Sequence, residues 1–183
     1  MIEMSLFKET KKEEKAKGEK RIVRFYVSGS EYAVSIERIK EIIYAKPVHP
    51  VPGALEGIEG VINLRGAVVP VMDGRKKLKT TSVPPGAPEH ILIVEARRQK
   101  IGLIVDRVKE VIAVREDQVQ KTQPFMDQKA AYVEGIYRIG EQLIILLNLE
   151  QLWTAAEISE MEATLRQTIS DEMAPTPQNQ RKQ

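Results

Sequence analysis

The sequence predicts an all-β protein, and three observations carry that prediction. Short β-branched runs recur along most of the chain. Gly, Pro or charged turn residues bound them, and helical periodicity is confined to the C-terminal end. The apolar content is 42% with 5% aromatics and a single Trp, so the core is aliphatic, built from Ile, Val and Leu.

The order of elements follows from local pattern. Residues 8–20 form a mixed Lys/Glu run without an apolar face, read with residues 1–7 as a disordered leader over 1–20. From Ile22, the residues Val23, Phe25 and Val27 alternate with Ile22, Arg24 and Tyr26; Ser28-Gly29-Ser30 then turns the chain into a strand at 32–35. Further strands are expected at 39–45, 58–64, 68–72, 90–95, 100–106, 108–114, 133–139 and 142–147. Runs 101–105 and 143–147 are unbroken apolar stretches, which implies cover on both faces of the sheet. Antiparallel hairpins meet that need as small barrels packed wall to wall, although composition also permits a sandwich. The segment 80–88, with Pro84, Pro85 and Pro88 around Gly86, reads as a linker between two barrels.

Beyond the last strand, residues 148–153 suggest a helical turn. Thr154 and Glu157 form a capping box, and Ile158, Met161, Leu165 and Ile169 recur at helical spacing, predicting an amphipathic helix over 154–170. Pro175 and Pro177 open a disordered tail over 171–183.

Composition narrows function. The chain lacks Cys, which removes disulfides, thiolate metal sites and a Cys nucleophile. No stretch approaches the ~18 apolar residues of a membrane span, and the N-terminus lacks a signal-peptide apolar region, so a cytoplasmic protein without membrane insertion is expected. The net charge of +2 resides in residues 1–21, which hold seven Lys/Arg and five Glu; the remainder balances 21 against 21. A neutral body argues against nucleic-acid binding, as does the lack of stacking spacing among Tyr26, Tyr32, Tyr44, Tyr132 and Tyr137.

Catalytic chemistry is sparse. His49 and His90 lack metal-ligand spacing, no nucleophile elbow is present, and the glycines at 53, 57, 60 and 66 are not followed by Gly-Lys-Ser/Thr. Asp73 and Asp106 end strands, where they suit turn capping or pairing with Arg75 or Arg107 better than acid–base work. The six methionines are scattered as packing filler. No catalytic residue, metal site or cofactor is therefore expected.

The residues Asn63-Leu64-Arg65-Gly66 between apolar runs read as a β-turn, with Asn63 at the first position, Gly66 at the fourth, and Leu64 and Arg65 at the tip. A guanidinium held there suits a partner carboxylate, although it also suits a solvated turn. The surrounding stretch 57–73, GIEGVINLRGAVVPVMD, resembles the hallmark segment of the CheW family, the coupling proteins of bacterial chemosensory arrays. The resemblance continues in order through FYVSGSEY (25–32), IERIKEII (36–43), 90–114 and 132–152, and covers 21–153. Gly74, where the family usually has Leu, and Ser35, where Asp is common, depart from it.

The resemblance implies two SH3-like five-stranded barrels sharing an apolar interface over 21–153. It also implies a non-catalytic scaffold that joins the cytoplasmic tip of a methyl-accepting chemoreceptor to the regulatory domain of a CheA-type histidine kinase. That scaffold is recruited to membrane-associated receptor arrays. On this basis the receptor surface involves Ile39 and Arg65, extended by Glu41 on the same strand face as Ile39 and by Val61 and Leu64. Val68 and Val69 are the kinase-contact candidates. Ile39, Val68 and Val69 fit core positions equally well. Rival readings are an adaptor of the same family in pilus motility or gene regulation, a small β-barrel enzyme and an RNA-binding barrel.

Overall fold

The computed structural model describes residues 18–80, 86–121 and 131–172. The leader up to residue 17 and the tail from 173 lie outside that range. Eleven strands run in the order β1 (Glu19–Val27), β2 (Ser30–Ser35), β3 (Ile39–Tyr44), β4 (Ile58–Leu64), β5 (Ala67–Asp73), β6 (His90–Ala96), β7 (Gln99–Val105), β8 (Arg107–Arg115), β9 (Val119–Gln120), β10 (Val133–Ile139) and β11 (Gln142–Leu147). Helices α1 (Gly74–Lys77), α2 (Leu149–Leu152) and α3 (Ala155–Glu172) complete them. The strands form a six-stranded sheet ordered β8-β1-β2-β11-β10-β9 and a five-stranded sheet ordered β3-β6-β7-β5-β4.

Both sheets curl on themselves. The edges β8 and β9 of the first are separated by only the 3₁₀ turn Glu116–Gln118, a span of about 6 Å, so the edges must meet. In the second, the chain leaving β3 returns to the opposite edge, where His49 and Val61 exchange backbone bonds of 2.9 Å in both directions. Each unit is a small SH3-like barrel whose interior is filled by side chains. Ile22, Ala33, Val114, Ile144 and Leu146 fill barrel 1; Ile62, Val69, Val71, Ile91 and Ile93 fill barrel 2.

A third and larger core lies between the barrels. Val23, Phe25 and Val27 of β1 meet Leu92 and Val94 of β6 and Ile101, Leu103 and Val105 of β7, sealed by Trp153, Ile158 and Met161. The unbroken apolar run 101–105 is thus explained, since β7 presents one face to a barrel interior and the other to the shared wall; in the run 143–147 Leu143 departs from that expectation and is exposed. Thr154 and Glu157 make the expected reciprocal cap: Thr154 N–H donates to Glu157 Oε2 at 2.7 Å, and Glu157 N–H to Thr154 Oγ1 at 3.2 Å. Lys77 reaches across to Glu157 at 2.5 Å and fastens α3 to α1.

The two barrels have matching strand orders. β3-β6-β7-β5-β4 and β8-β1-β2-β11-β10 each pair antiparallel, antiparallel, parallel, antiparallel. Barrel 1 is therefore assembled from both ends of the described chain, and barrel 2 from its middle. This overturns the linker reading of segment 80–88. Residues 81–85 lie outside the described range, but the strands flanking the segment, β5 and β6, belong to the same barrel. The crossings between barrels are the 3₁₀ turn Ile36–Arg38 and the single residue Asp106.

Of the two family departures, Gly74 has a local explanation. A Cβ on Gly74 would lie 2.5 Å from the Ile104 carbonyl oxygen, so glycine lets α1 sit directly against β7. Ser35 precedes the turn Ile36–Arg38 without a side-chain cap bond.

Arg24 plugs the mouth of barrel 1. It is buried and pairs with Glu31 and Glu110, and Gln142 accepts a further bond at 3.4 Å. Truncation removes the main counter-charge of a carboxylate that is itself buried. Arg24→Met should lower unfolding free energy by about 3 kcal/mol, and adding Glu31→Gln should restore much of it. Denaturant melts of the single and double variants check this.

At the seam between barrels, Val108 N–H donates to His90 Nδ1 at 3.3 Å, and Tyr44 stacks on the imidazole with ring centroids 5.3 Å apart. The bond needs an unprotonated Nδ1. Burial holds the His90 pKa below its ordinary 6.5; Arg107 acts in the same direction, while Glu89 opposes it. Unfolding releases an imidazole that takes up a proton near pH 6.5. Stability from this site is therefore full above that pH and declines as pH falls toward the depressed folded value. Thermal melts across that window should show the decline, and His90→Gln should flatten it.

Candidate functional site

The candidate site is the β4–β5 hairpin and the strand it leans on. Leu64 pairs with Ala67, leaving a two-residue loop of Arg65 and Gly66 with φ of 51° and 84°. Positive φ at both loop positions marks a type I′ hairpin, whose twist matches its strands. The turn is thus shifted one residue from the sequence reading, with Leu64 at its first position and Arg65 and Gly66 at the tip. Asn63 still bonds back to the chain, its Oδ1 accepting from Gly66 N–H at 2.8 Å, while its carbonyl accepts from Lys46 Nζ at 2.6 Å.

Arg65 sits in the left-handed region without being Gly, Asn or Asp, at a backbone cost of about 1–2 kcal/mol. Its side chain is 71% exposed and pairs with Glu41, which is only 13% exposed. Solvent on the arginine side weakens the pair, whereas the shielded carboxylate on the other side gains from it. The position displays a guanidinium whose outer edge faces solvent.

Glu41 reaches Arg65 because of a bulge. On β3, Ile39 opposes Val94 but Glu41 opposes Ile93, so two residues of β3 match one of β6. Directly opposed residues share a face. Ile39 therefore faces the interbarrel core with Val94, whereas Glu41 turns to the face of Ile93, inside barrel 2. The expectation that Ile39 and Glu41 share a face fails for this reason, since two-residue spacing holds only in an unbulged strand.

The other candidates sort by face. Ile62 and Val69 oppose each other within barrel 2, while Val61 opposes Pro70, and Asn63 opposes Val68, on its outer surface. Val68 is half-buried there and Val61 buried; Leu64 is half-buried over the barrel interior. Ile39 and Val69 have at most 1% exposure and lie in different cores. The structure thus joins Arg65 to Glu41, sets Leu64 beneath them and Val68 alongside, and leaves Ile39 and Val69 without accessible surface.

Sequence reasoning missed Lys46, which braces the hairpin through the Asn63 carbonyl, and Tyr44, 58% exposed beside His90. Neither position carries a local signal, because both act through partners distant in sequence.

The aspartates at the strand ends are structural. Asp73 Oδ1 accepts from Arg75 N–H at 2.8 Å and caps α1. Asp106 accepts from Arg75 Nε at 2.7 Å and from Ser28 N–H at 2.6 Å, tying the β1–β2 turn to α1 across the two barrels. Among the described residues no cluster of three or more His, Asp or Glu is arranged to hold a metal, and no helix is long and apolar enough to cross a membrane.

Comparison with known proteins bears on this site. The CheW-like domain model matches residues 21–157. The chain is 43% identical over 133 residues to the chemotaxis protein CheW of Bacillus subtilis, covering 72% of this chain and 83% of that protein. It is 31% identical over 141 residues to the probable chemotaxis protein CheW of Rhizobium etli, covering 76% and 91%. Among solved structures, the scaffolding protein TtCheW from Thermoanaerobacter tengcongensis superposes with a TM-score of 0.68 at 34% identity, over 75% of this chain and 94% of that one.

Proposed function

Because the chain belongs to the CheW-like domain family, we propose that it is a non-catalytic chemosensory scaffold joining a CheA-type histidine kinase to chemoreceptors. Its role is geometric: the β4–β5 hairpin of barrel 2 presents two adjoining partner surfaces, its outer face and its tip. The kinase's regulatory domain docks on the outer face of the β4–β5 hairpin, where Val68 is half-buried. The receptor's cytoplasmic tip engages the Arg65–Glu41 pair, whose guanidinium offers outward donors to a carboxylate. Both partners recruit the protein to receptor arrays from the cytoplasm.

The observation that carries this reading is the exposed Arg65 guanidinium at the hairpin tip, paired with Glu41. Leu64 supports the surface from below, Val61 lies on the outer face of the same strand, and Ile39 and Val69 hold the barrel walls that position it.

The functional test is reconstitution. A CheA-type kinase, a receptor signalling fragment and the purified protein are combined, and phosphorylation of the kinase is followed. Receptor-dependent stimulation should require this protein. Kinase activity unaltered by its addition, with receptor present, refutes the coupling role.

A further inference from the structure

The repeated strand order gives barrel 1 its own counterpart of the β4–β5 hairpin. β10 and β11 are joined by the two-residue loop Gly140-Glu141, as β4 and β5 are by Arg65-Gly66. Leu143 occupies the place of Val68, the second residue after the loop. On the outer face of this hairpin Leu143 opposes Arg138, and Ile145 opposes Ile136. Leu143 is 58% exposed, an unusual position for leucine on a strand that is otherwise well covered.

Between this hairpin and the β1–β2 turn lies a depression of about 450 Å³, floored by Ile136, Leu143, Ile145 and Tyr26. Glu31 is the charged residue of its lining, and three cations flank it. Arg107 and Lys109 lie over the Tyr26 ring, 5.4 and 5.7 Å from its centroid, and the exposed Arg138 is pinned by a 2.7 Å bond from Nε to the Gly140 carbonyl. The nearby carboxylates are largely spent. Glu31 is buried and held by Arg24, with Lys109 at 3.8 Å, and Glu110 also pairs with Arg24. Glu141 at the loop tip is the remaining acid beside the patch, against Arg107 and Arg138. An aliphatic floor edged by surplus positive charge selects a ligand with the opposite edge.

We propose that this depression is a docking surface for an acidic amphipathic helix, its leucines entering beside Leu143 and its carboxylates meeting Arg138 and Arg107. The surface belongs to barrel 1 and is separate from the Arg65 site, so each is tested independently.

The test uses the full-length, isotope-labelled protein at low salt and a helical peptide of about four turns. The peptide carries leucine at every third and fourth position and glutamate elsewhere; a control carries lysine in place of glutamate. The acidic peptide should bind, with amide shifts concentrated at Ser30, Leu143 and Ile145, and the basic peptide should not. Leu143→Asp and, separately, Arg138→Glu should each weaken binding by on the order of tenfold or more, while Arg65→Gly leaves it unchanged. Both altered side chains are exposed, and circular dichroism verifies that the variants fold. Absence of binding, equal binding of both peptides, or affinity unaffected by Leu143→Asp overturns the proposal. Binding of the kinase domain should be indifferent to Leu143→Asp; if it is lost, the depression belongs to the kinase surface and the proposal of a separate site fails.

Discussion

Gly60→Ala should unfold this protein or cost it about 4 kcal/mol, the largest single effect expected from a one-methyl change in the chain. Gly60 is buried on β4 with φ of 148°, and a Cβ there would lie 2.1 Å from the His49 carbonyl oxygen and 2.9 Å from Val48 Cγ1. The obstructing atom is backbone. It belongs to the bridge by which His49 and Val61 close barrel 2. A methyl group must therefore either part that bridge or displace β4 from β5, where a register shift between Ile58 and Gly60 already bends the strand. Either route opens the interior lined by Ile62, Val69 and Ile91. Chemical denaturation checks the magnitude. Gly66→Ala is the control: its φ is also positive, but nothing lies near its Cβ, so it should cost only about 1 kcal/mol.

Arg65→Gly carries the second large effect, and it splits stability from binding. The substitution relieves a left-handed non-glycine residue and removes the partner of Glu41, whose side chain is 13% exposed. Relief of the loop geometry offsets the freedom gained by the unfolded chain and part of the cost of leaving Glu41 unpaired, so folding stability should fall by only about 1 kcal/mol. Receptor-tip binding, in contrast, should weaken by on the order of tenfold to a hundredfold, because the displayed guanidinium is gone. Arg65→Glu should bind still worse, since it sets a like charge against Glu41. Equal loss of stability and binding would instead mark Arg65 as a structural residue.

The strands were legible because their signals are local. Runs at 58–64, 133–139 and 142–147 coincide with β4, β10 and β11, and the Thr154–Glu157 box marks the start of α3. The continuous apolar run 101–105 pointed to a wall covered on both sides, and the interbarrel core is that arrangement. Connectivity was less legible. Pro84 and Pro85 suggested a boundary, but proline marks a break in regular structure without saying which sheet the next strand joins. The two-residue β9 exists only through its pairing with β10 and has no pattern of its own. The strand order repeats without a repeated sequence, because aliphatic packing tolerates many side chains at equivalent positions.

Within the site, residue types were readable and faces were not. Arg65 and Glu41 were identified from the sequence, and the structure pairs them. The bulge after Ile39 leaves no sequence mark, yet it decides that Glu41 meets Arg65 while Ile39 enters the core. Likewise the shift of the turn by one residue depends on the Leu64–Ala67 register, set across the hairpin. Arg24 read as one member of an alternating strand; its burial follows from Glu31 and Glu110, contributed by neighbouring strands of barrel 1.

The central claim is that one rigid molecule holds kinase and receptor together. Its most direct test is sequential calorimetry. The regulatory domain of a CheA-type kinase is titrated into the wild-type protein, and a receptor-tip fragment is then titrated into the complex. Saturable binding is expected in both steps, the second undiminished by the first, with Arg65→Gly weakening the receptor step alone. Failure of the wild-type protein to bind either partner, or displacement of the kinase domain by the receptor fragment, contradicts it.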